Sequence, residues 1–169
     1  MKRFLGPLIV LVLATVGAHW ATLAYAPSII MDRALTMLKN RGISEHAFTT
    51  PQRITPQTQA VVRSSPDLFY SLCRYDLSDP ETVVDVTMAR WPNYQSLSFF
   101  DGNTNNFATF RRQDASETVR LLGPGKKGVG ISSPTARGVI LIRRLAPTQE
   151  AFDEASQVAQ DDACELVTP

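Results

Sequence analysis

The sequence predicts an all-β domain, sandwich or jelly-roll-like, behind an amino-terminal transmembrane helix, with a carboxy-terminal helix packed on the sheet. Three observations predict it. The chain opens with an apolar run that carries no charge from Phe4 to Ala26. Short stretches rich in β-branched and aromatic residues then follow at regular spacing, the three within Ser65 to Phe107 each closed by Pro, Asp, Asn or Gly. No helical period interrupts them until the carboxy-terminal region.

The 169 residues fit one domain plus an anchor, and roughly 120 of them remain after the amino-terminal segments, enough to bury a core unaided. A net charge of +1 and a pI near 7.8 exclude the strongly basic surface that nucleic acid requires.

Four parts are expected in order: an anchor over 1–26, a juxtamembrane helix over 27–42, a tether over 43–59 and the β domain over 60–169. As a helix the uncharged run is about 34 Å long, a match for a bilayer core of ~30 Å. A cleaved secretory signal is the rival reading, because Lys2 and Arg3 precede the run and Ala24-Tyr25-Ala26 has the form of a cleavage site. Pro27 in the first mature position and the length of the run favour an uncleaved anchor. Arg33, Lys39 and Arg41 balance the positive charges ahead of the span, so the charge rule leaves orientation open. The signal-like amino terminus tilts the expectation towards an inner-membrane, single-pass protein with an exported, periplasmic domain. His19 and Trp20 fit the headgroup level at its distal end.

Ser28 to Arg41 spaces Met31, Leu35 and Leu38 as a helical stripe, with Ser28 as a candidate N-cap and Gly42 as a stop. A kink at Pro27 and a neck that stands the domain off the membrane are expected. The Thr- and Pro-rich segment that follows reads as a tether or an arm on the domain, with Glu45 and His46 solvated.

Strands are predicted at Asp67–Leu77, Thr82–Ala89, Gln95–Asp101, Phe107–Arg111, Glu117–Leu122 and Gly138–Leu145. Turn chemistry separates them at Ser78-Asp79-Pro80, Trp91-Pro92-Asn93, Asp101-Gly102-Asn103 and Gly123-Pro124-Gly125. The chain closes with a helix that Thr148 caps and whose Phe152, Ala155 and Ala159 face a sheet.

Several motifs together carry a family likeness. They are Ser65-Pro66-Asp67-Leu68-Phe69-Tyr70-Ser71, Tyr75-Asp76-Leu77-Ser78-Asp79-Pro80, Tyr94-x-Ser96, Asp101-x-x-Thr104-Asn105-Asn106-Phe107, Leu121-Leu122-Gly123-Pro124-Gly125, and the run from Ser133 to Arg143. Over roughly Ala60 to Phe152 the chain resembles the bacterial family called domain of unknown function 1254, in its short, single-span form. The resemblance implies an all-β fold. It also implies, as a partner, a separate protein carrying the second domain that long members append, domain of unknown function 1214. The family's activity is unassigned, so the likeness implies no chemistry.

The polar clusters are read residue by residue. Asp101, Asn103 and Asn105 are spaced as in a calcium loop, but Asn106 and Arg112 stand where glycine and the closing acid belong, so a hairpin turn is the reading and no metal or other cofactor is expected. Asp76, Asp79, Glu81 and Asp85 sit at turns or on opposite strand faces, which suits solvated edges better than paired acid and base. Neither histidine belongs to the folded domain, so a nucleophilic triad has no base. Gly123 to Gly130 lacks phosphate-loop spacing. In an oxidising compartment Cys73 and Cys164 could pair. The basic residues Arg111, Arg112, Lys126, Lys127, Arg137, Arg143 and Arg144 could face anionic headgroups, although strand alternation splits each Arg pair and scattered, solvated charge is expected. The functional expectation is a membrane-anchored envelope protein acting as a binding or assembly module, with the lipid bilayer as its first partner and Asp76, Asp101, Asn105 and Arg143 as candidate binding residues. The alternative is a hydrolase using surface carboxylates such as Asp76 and Asp101, and a cleft joining them to Arg143 would favour it.

Overall fold

The computed structural model describes residues 4–54, 64–111 and 117–168. Arg112 and the boundary between tether and domain at 59/60 lie outside the described residues, as do Lys2 and Arg3. A long helix α1 (Leu5–Asn40) is followed by β1 (Leu68–Asp76), β2 (Val83–Met88), β3 (Gln95–Phe100), β4 (Asn106–Arg111) and β5 (Glu117–Leu122). Then come β6 (Ile131–Ser132), β7 (Arg137–Leu145), a second helix α2 (Gln149–Val158), a 3-10 turn (Ala159–Asp161) and β8 (Ala163–Val167).

The strands form two four-stranded sheets. Sheet A has the order β1-β7-β3-β4 and is antiparallel throughout; sheet B has the order β6-β5-β2-β8, with only the short β5-β6 pair parallel. Alternation decides which side chains meet. Cys73 and Tyr75 of β1, Leu97 and Phe99 of β3 and Ile140 and Ile142 of β7 join Val84, Val86, Leu121 and Cys164 of sheet B in one buried cluster. A second, smaller core holds α2: Phe152 packs edge-on against Phe69 with ring centroids 4.9 Å apart, beside Trp91, Ala146, Ala155 and Ala159. Thr148 caps α2 as its sequence predicts, its hydroxyl accepting the Ala151 N–H at 3.1 Å.

The chain does not close with a helix. After α2 it returns as β8 to the free edge of β2, pairing Val86 with Cys164 and Asp85 with Glu165. β8 and the two-residue β6 escape sequence reading because each is too short to establish a period.

α1 runs through Pro27 without a break, so Ser28 is no cap and the boundary expected at 26/27 is absent. The Ser28 hydroxyl donates to the Tyr25 carbonyl inside the helix at 2.9 Å. Gly42, in the left-handed region with φ of 78°, ends α1 as expected. Its N–H reaches Lys39 O at 3.0 Å and the Ile43 N–H reaches Leu38 O at 3.0 Å, the paired bonds of a Schellman stop. From Phe4 to Tyr25 the helix is exposed, whereas Ala26, Pro27, Met31, Ala34, Leu35 and Leu38 form a covered stripe. α1 contacts β7, and the inner side of β7 is taken by the core, so the stripe rests on the outer face of sheet A. The last turns of α1 are therefore fastened to the domain and are not a free neck.

The segment expected to be a tether is also fastened as far as it is described. Thr49 and Leu72 exchange both backbone hydrogen bonds, at 2.8 and 2.9 Å, and Glu45 bridges Arg74 at 3.2 Å. Residues 44–49 thus cover the outer edge of β1, where unpaired strand groups would otherwise invite association.

Gly138 shows how tightly sheet A closes. A β-carbon there would collide with the Phe100 carbonyl and with the buried Tyr75 ring. We expect Gly138→Ala to lower unfolding free energy by about 3 kcal/mol, measured by urea denaturation of the domain.

Candidate functional site

Asp76 ends β1. One oxygen accepts the Ser78 N–H at 2.9 Å, and the other faces Arg137 Nε at 3.8 Å. The backbone N–H of Asp76 is accepted by Nε2 of His46 at 3.0 Å. His46, with a positive φ of 55°, is therefore no solvated bystander: it is half-buried and pins the edge segment to β1. Glu45 is likewise engaged, with Arg74.

Asp101 lies at the same end of sheet A. It is 2% exposed, and both its oxygens are consumed by its own loop. Oδ1 accepts the Asn103 and Asn105 N–H groups, each at 2.8 Å, and Oδ2 accepts from the Asn105 amide at 3.1 Å. Thr104 takes up the left-handed conformation with φ of 66°. Asp101 and Asn105 thus build the β3-β4 hairpin, the structural alternative to a calcium loop.

Arg143 does not join them. Asp76 pairs in register with Arg137, whereas Arg143 is opposite Tyr70. Six strand residues, about 20 Å at ~3.3 Å per residue, separate the two ends. A cleft uniting Asp76, Asp101 and Arg143 does not form. The guanidinium of Arg143 lies over the Phe100 ring at 6.0 Å.

The domain's strongest electrostatic feature is one the sequence reading missed. Arg144 and Asp162 are both fully buried and form a two-pronged ion pair, Nη2 to Oδ1 at 2.6 Å and Nη1 to Oδ2 at 2.8 Å. Asp162 also accepts the Ala89 N–H at 2.9 Å and the Ser71 hydroxyl at 3.1 Å, while Arg144 donates to the Ala89 carbonyl at 3.2 Å. This network ties β1 and β7 of sheet A to the ends of β2 and β8 of sheet B. Arg144 therefore leaves the set of solvated charges. A signal was present: Arg144 shares its strand face with Ile140 and Ile142, so splitting the Arg143-Arg144 pair obliged one of the two to enter the core.

Cys73 on β1 and Cys164 on β8 are joined by a disulfide with an S–S length of 2.03 Å, both fully within the core. It links the edge strand of sheet A to the edge strand of sheet B.

Among the described residues three groups have displaced titrations: Tyr75, Asp85 and the Arg120 that pairs with Asp85 and is raised by it. Burial pushes the Tyr75 phenol from 10.0 up to about 12, opposed by its hydrogen bond to Ser133 at 2.9 Å and reinforced by the nearby Asp101 charge. On sheet B, the forked hydrogen bonds from Arg120, both at 2.7 Å, hold the Asp85 carboxyl below its usual range. The Tyr75 shift carries a sign. The folded state keeps its proton where the unfolded chain loses it, so stability is intact below pH 10 and falls as pH rises towards 12. The loss amounts to about 2–3 kcal/mol. Tyrosinate absorbance should retain a late component, coincident with unfolding, that Tyr75→Phe removes.

The pattern of the DUF1254 family, described as a protein of unknown function, matches residues 46–165. That span begins at His46 and ends just beyond Cys164, so it takes in most of the edge segment and the first half of β8 as well as the motifs. No curated protein matches the chain. Among solved structures, the VPA0106 protein from Vibrio parahaemolyticus is similar in fold, with a TM-score of 0.58 at 15% identity over 88% of this chain. An uncharacterised protein from Burkholderia cenocepacia aligns with a TM-score of 0.49 at 12% identity over 76% of the chain. The chain spans only 37% and 36% of the lengths of these two proteins. With the family pattern covering most of its length, the chain belongs to the DUF1254 family.

Proposed function

We propose that this protein is a single-pass cell-envelope protein whose two sheets form a sandwich displayed in the periplasm as a binding or assembly module. One observation carries the reading. α1 is long and apolar enough to cross a membrane, it is uncovered from Phe4 to Tyr25, and its last turns are bound to a domain stapled by a buried disulfide. The uncovered part, about 31 Å at ~1.5 Å per residue, suits a bilayer core. Disulfides persist outside the cytosol, which supports an exported domain. Asp101 spends both oxygens on its own turn and Asp76 divides its two between the Ser78 amide and Arg137, so carboxylate hydrolysis has less support.

A protein carrying a DUF1214 domain is the partner we propose for the module. Tagging such a protein in the same cells and purifying this chain from membranes in mild detergent tests it. Recovery of both at equal stoichiometry is expected. Purification of this chain without it would contradict the partner assignment.

A further inference from the structure

The outer face of sheet A carries one row of side chains at a single register: Tyr70 on β1, Arg143 on β7, Ser96 on β3 and Arg111 on β4. Directly opposed residues project to the same side. Leu97, Phe110 and Ile142, their chain neighbours, pack towards the core, which fixes this row on the outer side. Ser96 is 1% exposed, and its hydroxyl oxygen has no hydrogen-bond partner, although a buried hydroxyl is ordinarily satisfied.

Arginine flanks it on both strands. Arg74, Arg120, Arg137 and Arg144 are each paired with a carboxylate. Arg111 and Arg143 have no ion pair among the described residues. Their guanidiniums rest instead over Tyr94 and Phe100, each 6.0 Å from the ring centroid, so Arg111 leans towards the start of β3 and Arg143 towards its end. Two strand spacings, about 9.6 Å, separate their backbones at the level of Ser96, so both must leave these rings and swing back over Ser96 to hold one anion. The carboxylates on this face, Glu45 and Asp76, lie towards its other end and are already paired. Tyr94 is 46% exposed and Leu145, whose N–H donates to the Tyr94 carbonyl at 2.9 Å, is 37% exposed, which adds amphipathic surface beside the two cations.

We propose that Arg111, Ser96 and Arg143 form a site for the phosphate of an anionic lipid headgroup, the two guanidiniums closing on its oxygens while the Ser96 hydroxyl donates from below. The lipid assignment rests on the reading that α1 crosses the bilayer. The covered stripe of α1 begins at Ala26, one residue after the uncovered apolar run, so the domain is bound to the helix directly beyond the segment read as leaving the lipid. Lipid headgroups lie at that level of a bilayer.

The full chain in nanodiscs provides the test. Arginine modification by phenylglyoxal is followed residue by residue by mass spectrometry in three samples: neutral phosphatidylcholine discs, the same discs with phosphatidylglycerol, and neutral discs with inorganic phosphate. With the lipid at ten times its dissociation constant, Arg111 and Arg143 should react about tenfold more slowly than in neutral discs. Arg137, at the far end of the sheet, should react unchanged. Arg143→Gln should abolish protection of Arg111, and Ser96→Val should weaken it. Equal reactivity of Arg111 and Arg143 in all three samples overturns the site. Protection by inorganic phosphate alone overturns the lipid assignment. A chain that fails to enter discs contradicts the anchored reading itself, whereas entry with unprotected arginines contradicts only the headgroup site.

Discussion

Replacing Asp162 with alanine is expected to cost about 3–5 kcal/mol of unfolding free energy, because it strands a fully buried guanidinium without its countercharge. The same change frees the Ala89 N–H and the Ser71 hydroxyl, both of which Asp162 accepts. Breaking one partner is more damaging than removing both. Arg144→Met combined with Asp162→Leu should recover most of the loss, since the pair repays only part of its own desolvation. A urea series on wild type, single variants and the double variant measures the coupling. Equal losses in Asp162→Ala and in the apolar double variant would show that the charge pairing contributes nothing beyond shape.

The second large effect belongs to the disulfide. Cys73 and Cys164 are 91 residues apart, and closing a loop of that length restricts the unfolded chain by about 4–5 kcal/mol in the chain-entropy description. Because the link joins β1 to β8, its loss is expected to act on the far edge of sheet B first. Cys73→Ala with Cys164→Ala should lower the thermal midpoint by more than 10 °C, at about 4–8 °C per kcal/mol for a domain of this size. Hydrogen exchange should rise earliest at Ala163–Val167, with the β1-β7 ladder holding longer. A double variant as stable as wild type would refute the assignment of a structural role to the bridge.

What the sequence discloses here follows from how far each element depends on its neighbours. β1, β2, β3 and β5 are short runs rich in β-branched and aromatic residues with partial alternation, and β7 carries the unbroken apolar run Val139-Ile140-Leu141-Ile142, so local composition and turn boundaries announce them as strands. β8 is different: Ala163-Cys164-Glu165-Leu166-Val167 becomes a strand because β2 offers it a free edge, and no local pattern announces that edge. The same holds for residues 44–49, whose pairing with β1 is made by backbone groups and by His46, not by an apolar period. At Pro27 a local rule yields to packing. The missing N–H would favour a break, yet the helix continues into the covered stripe that runs from Ala26 to Leu38.

The candidate residues divide along similar lines. Asp101 and Asn105 were legible as turn formers because their chemistry is local, every bond falling within four residues. Arg144 and Asp162 were not, because a buried ion pair joins positions whose closeness only the folded topology creates. Ser96 gives no sign of itself in the sequence. Its position between Arg111 and Arg143 depends on two registers at once, β3 with β4 and β3 with β7.

The reading as a whole depends on α1 staying in the bilayer with the domain outside the cytosol. Fusing a reporter that is active only after export to the carboxy terminus, and extracting the membranes with alkaline carbonate, tests both halves together. The account predicts an active reporter on a fusion protein that remains in the carbonate-resistant pellet and retains the residues before Pro27. An inactive reporter, or a soluble protein that begins at Pro27, would contradict it.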